Sequence, residues 1–104
     1  MTNELAETLM DASTLTGVEA IEDKSDLHMD RVLVIFSNGL EVSVIRGLGS
    51  YGWRSNLFEA AVYLNHNMSR VLFDDGIDQD VRGWLSLGDV NELLAKAASW
   101  RVEK

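Results

Sequence analysis

The chain has 104 residues, 46% of them hydrophobic and 25% charged, with a formal net charge of −8. That length makes a single domain with one modest core, and a Leu, Ile, Val and Phe share of about 30% excludes full disorder. Lack of Cys removes disulfides, thiol nucleophiles and Cys-ligated zinc, and 9 bases against 17 acids argue against a basic nucleic-acid-binding face.

Charge is unevenly spread. Residues 1–30 carry eight acids against Lys24 alone, a balance of −7, while residues 31–70 balance at +2 and the remainder at −3. The first thirty residues therefore read as an acidic arm and residues 31–104 as the folded domain. Within the arm, Leu5 and Leu9 sit one helical turn apart with Asn3 positioned to cap, which predicts a short helix near 3–12. The stretch from Val18 to Asp30 has few large apolar residues and carries no clear pattern.

Residues 31–46 hold two β-rich runs, VLVIF and LEVSVI, around Asn38-Gly39. That dipeptide suits a two-residue hairpin turn, in which both central residues take positive φ. Leu40, Val42 and Val44 alternate with Glu41 and Ser43, so the second strand has one apolar face. The first run is apolar on both faces, which predicts a strand covered on both sides. Residues 47–56 are loop-like. Residues 57–64 fit either a helix opened by Asn56 and Glu59 or a strand with Phe58, Ala60, Val62 and Leu64 on one face. The strand is favoured, because Asn65, His66 and Asn67 make a good turn and residues 70–73 then return as a fourth strand. Ser86 and Asp89 form a capping box, and Val90, Leu93, Leu94, Ala97 and Trp100 recur at helical spacing. The expected fold is α+β: a four-stranded antiparallel meander packed by a C-terminal helix near 87–101, with the short N-terminal helix in the arm.

Two motifs invite chemistry. Gly47, Gly49 and Gly52 spell G-x-G-x-x-G after a strand, with Asp74 further on. A dinucleotide site needs a helix after the glycines and parallel strands, whereas this strand belongs to an antiparallel hairpin and Trp53 follows the third glycine. Asp78, Asp80, Gly83, Ser86 and Asp89 match part of a calcium loop, but Arg82 stands where an oxygen ligand belongs. The bland readings, a bending glycine loop and a solvated acidic loop before a capped helix, are preferred. His28 and His66 lack ligand spacing for zinc, and no serine sits in a nucleophile elbow. No cofactor, metal or catalysis is therefore expected.

Tyr51, Trp53 and Arg54 crowd the glycine loop, and such residues dominate interface hot spots. Trp84 and Trp100 read as core or core rim. Glu19, Glu22, Asp23 and Asp26 concentrate the arm's charge.

The runs VLVIFSNGLEVSVIRG, GSYG, LFEAAVYL and DVRGWLSLGDVNELL resemble small uncharacterised proteins of bacteriophages and prophages, over about residues 31–95. Those proteins share the hairpin, the glycine loop, a third strand and a capped final helix. The resemblance implies the strand at 57–64 and brings no catalytic residue with it. The function it suggests is a small acidic accessory protein that binds a host protein without chemistry, in the cytoplasm. A nucleic-acid-binding host enzyme or defence system would suit, because carboxylates can stand in for phosphates in a basic groove. The alternative is a self-associating virion or morphogenesis component, and homodimerisation stays open in either reading. Tyr51, Trp53 and Arg54, with Glu19, Glu22, Asp23 and Asp26, are the expected partner-binding residues. Neither direct nucleic-acid binding nor membrane insertion is expected, since no apolar run approaches a spanning length and the start MTNELAETLMD lacks signal-peptide features.

Overall fold

The computed structural model describes residues 17–47, 55, 57–69, 71–73 and 81–101, and among these described residues are six antiparallel strands and one helix. The strands are β1 (Val18–Asp23), β2 (Met29–Phe36), β3 (Leu40–Gly47), β4 (Phe58–Leu64), β5 (Asn67–Ser69) and β6 (Val81–Leu85). The helix, α1, spans Leu87–Ser99. β1 to β5 run as a meander, and β6 returns to pair with the other half of β4.

The α+β class, the antiparallel sheet and the C-terminal helix match the sequence reading, as does the strand over 57–64. The strand count differs, six rather than four. β1 lies within the acidic segment, where a register shift between Val18 and Ala20 breaks its alternation while Val18 and Ile21 pack on the core. β6 is hidden by a second irregularity, opposite Phe58 and Ala60. Of residues 70–73, expected to return as a strand, 71–73 form none, and Arg70 lies outside the described residues. The return is the three-residue β5, and Leu72 and Phe73 instead fold into the core from a turn. The helix expected near 3–12 lies outside the described residues.

The core is one face of the sheet covered by α1. Val32, Val34, Leu40, Val42, Val44 and Val62 are completely buried there with Val90, Leu94 and Ala97 of α1. Period-two alternation puts these strand residues on one side. At one end Arg46 closes the face: its guanidinium lies 4.9 Å from the Phe58 ring centroid and donates to Asp30 Oδ2 at 2.8 Å. Ser86 starts α1 with the expected reciprocal cap. Its hydroxyl accepts from Asp89 N–H at 3.1 Å, and Asp89 Oδ2 accepts from Ser86 N–H at 3.0 Å.

The two turns exchange their expected roles. Ile35 pairs with Glu41, so residues 37–39 form a three-residue loop, and only Gly39, at φ 93°, is left-handed. The two-residue turn with both φ positive is Asn65-His66, at 51° and 70°. Asn38 is needed instead as a brace. Its side-chain amide donates to the carbonyls of Ala97 at 2.8 Å and Trp100 at 3.1 Å, closing the end of α1 onto the hairpin. Asn65 N–H donates to Gly39 O at 2.9 Å, joining the two turns.

Candidate functional site

Glu19, Glu22 and Asp23 lie on β1, the outermost strand, and Asp26 lies in the turn that follows; all four are exposed. The acidic segment is thus an ordered edge of the sheet from residue 17 onward. Its carboxylates do different work. Asp23 Oδ1 accepts from Ser25 N–H at 3.0 Å. Asp26 Oδ1 accepts from the N–H groups of His28 at 2.8 Å and Met29 at 3.0 Å. The His28 N–H bond leads in holding the Asp26 carboxyl below its ordinary range. Glu22 lies 3.3 Å from Lys24, and Glu19 has no ion pair among the described residues. Ser25 ties the turn back to Arg31: its hydroxyl accepts from Arg31 N–H at 2.8 Å. This bracing presents Leu27 at the tip, 97% exposed between Asp26 and His28.

Tyr51, Trp53 and Arg54 lie outside the described residues, so the structure brings only the acidic half of the expected site together. Trp84 is not core. It is 63% exposed with φ 60°, in the irregular stretch of β6, whereas Trp100 is half-buried against the core as expected. A bulge lets a strand re-aim a side chain, and that is what turns Trp84 outward. Gly83 within a β-rich run is the sequence signal for such a bulge.

Gly47 ends β3, which is antiparallel to both β2 and β4, so the parallel architecture of a dinucleotide fold is not formed around it. A Cβ there would lie 2.6 Å from His28 O, which explains the glycine by close backbone approach. Gly49 and Gly52 lie outside the described residues. Of the calcium-loop positions, Gly83 is in β6 while Ser86 and Asp89 are occupied in the capping box. Asp78 and Asp80 lie outside the described residues.

Between α1 and residues 72–73 runs a groove of about 440 Å³, floored by Phe73, Leu85 and Leu93. Its cations are engaged: Arg82 lies 4.5 Å from the Phe73 ring centroid, and Lys96 Nζ donates to Leu72 O at 3.2 Å. On the sheet face away from α1, two smaller hollows of about 220 and 350 Å³ share Arg31, Ser43 and Tyr63. Among the described residues, no group of three or more His, Asp or Glu side chains could hold a metal ion, and no helix is long and apolar enough to cross a membrane. Comparison with protein-family models, curated proteins and solved structures found no match to this chain.

Proposed function

We propose that the protein is a non-catalytic binding module whose acidic edge engages a basic surface on another macromolecule. The observation that carries this reading is the placement of Glu22 and Asp23 in register on the edge strand β1, with Glu19 at its irregularity, continued by the turn that Asp26 braces. Fixed carboxylates match a fixed pattern of cations with less ordering entropy than a free tail does. They also steer encounter with an oppositely charged partner. Through the resemblance over residues 31–95, the protein is a phage or prophage accessory protein that meets a host protein in the host cytoplasm, and its carboxylates, which can stand in for phosphates, favour a host protein that itself binds nucleic acid. Tyr51, Trp53 and Arg54 join the proposal on sequence grounds as the residues that prolong the complex.

The test immobilises the whole protein and captures partners from a bacterial lysate at low and high salt. The wild type should enrich nucleic-acid-binding proteins at low salt, and the double variant Glu19→Lys/Glu22→Lys should lose them. An identical set on wild type and variant contradicts the proposal. With a partner in hand, Trp53→Ala should mainly raise the dissociation rate, by a factor corresponding to roughly 2 kcal/mol.

A further inference from the structure

The face of the sheet away from α1 is built for contact. β2 carries Leu33 and Ile35 on that side, β3 Ile45, β4 Ala61 and Tyr63, and β5 Met68, which is 49% exposed. A solvated antiparallel face normally alternates to polar residues. No described element covers this one. The strand register sets its side chains in three rows: Arg31–Ile45–Glu59, Leu33–Ser43–Ala61 and Ile35–Glu41–Tyr63.

In each row the β2 residue and the β4 residue are complementary. Arg31 is a cation and Glu59 an anion, two strands apart, and neither has an ion pair among the described residues. Leu33 is large and Ala61 small. Ser43 and Ala61, which pair directly, form the low ground between the two hollows. Ile35 and Tyr63 are both apolar. Burial raises the Glu59 carboxyl above its ordinary range, in keeping with a carboxylate that lacks a counterion.

We propose that this face is the interface of a homodimer with a two-fold axis lying along β3. Such an axis exchanges β2 and β4 between copies while keeping each row level. Arg31 then meets Glu59 of the second copy, Leu33 fills the hollow over Ala61, and Ile35 lies on Tyr63. This is the self-complementarity that an isologous interface requires. Face-to-face sheets pack about 10 Å apart with their strands within about 30°, a distance these side chains span. Glu41 meets its own copy across the axis, but each Glu41 Oε1 already lies 2.9 Å from His66 Nδ1. The footprint is roughly 24 by 20 Å by strand spacing, about 1,000 Å² over the two copies, which is below the standard range of stable interfaces and marks a weak, transient dimer. Two chains of −8 repel, so salt tightens the dimer.

Sedimentation velocity from micromolar to near-millimolar protein tests this. The wild type should shift from monomer to dimer, and at lower concentration when salt is raised. Arg31→Glu and Glu59→Arg should each weaken association by about tenfold, equivalent to about 1.4 kcal/mol, and the combination Arg31→Glu/Glu59→Arg should restore it. Leu33→Asp should stay monomeric; its far-ultraviolet circular dichroism reports whether it folds, and the charge pair keeps the test independent of it. A wild type that remains monomeric throughout, single variants that associate normally, or a combination that fails to restore the dimer would each overturn the proposal.

Discussion

The two faces of strands β2 to β4 share a backbone and differ in almost everything else. On the inner face Val32, Val34, Val42, Val44 and Val62 are each 0% exposed and α1 seals them. On the outer face Leu33, Ile35, Ile45 and Tyr63 are only half-buried, and charges stand among them. Similar apolar content thus has two outcomes: one face holds the chain folded, and the other stays half-buried with no described element over it. The acidic edge adds a third surface whose charge neither face needs.

The largest effects should come from breaking the inner face. Leu94, the fully buried anchor of α1, should cost about 3 kcal/mol when replaced by alanine, read from urea unfolding. A loss below about 1 kcal/mol would show that α1 does not seal the core. Next comes the brace between the hairpin and α1. Asn38→Ala removes both side-chain bonds to the end of the helix and should cost about 2 kcal/mol. Gly39→Val should cost roughly 1 to 2 kcal/mol, from positive φ and from crowding the Asn65 side chain 2.8 Å away. An unchanged midpoint in either variant would remove the turn from the account.

The smallest effects belong to the exposed Asp26 and the half-buried Glu59 and appear as pH dependence. Asp26 has its carboxyl lowered from 3.8 by backbone N–H groups, chiefly that of His28. Its contribution is therefore present above that value and is lost as pH falls through the lower, folded value. Glu59 is raised from 4.5 by burial, so its contribution is present below that value and is lost as pH rises through the higher, folded value. Unfolding midpoints across this acid range should show Asp26→Ala flattening the rise with pH and Glu59→Gln removing the opposing fall. Curves that superimpose on the wild type would deny both roles.

Much of the fold was legible in the sequence wherever one signal dominated. Ser86 and Asp89 announce the start of α1, and the alternation in LEVSVI gives β3 its buried face. The apolar β2 run announces two faces that both want contact, though not what covers the second. Legibility fails where local signals compete. Asn38-Gly39 and Asn65-His66-Asn67 both read as turns, and neither says that the first takes three residues and the second two. β1 and β6 are each broken by an irregular register, so neither shows clean alternation. The acids of 19–26 were visible as charge, but their division between bracing the turn and facing solvent depends on backbone geometry that composition does not carry.

The most direct measurement compares neighbours on β2 that face opposite ways. Leu33→Ala deletes more side chain than Val34→Ala, so on a uniformly buried strand it should cost more. The account predicts the reverse at concentrations where the chain is monomeric: about 2 kcal/mol for Val34→Ala and about 1 kcal/mol or less for Leu33→Ala, by urea unfolding. A larger loss for Leu33→Ala in the monomer would contradict it, because the outer face would then hold the fold as firmly as the inner one.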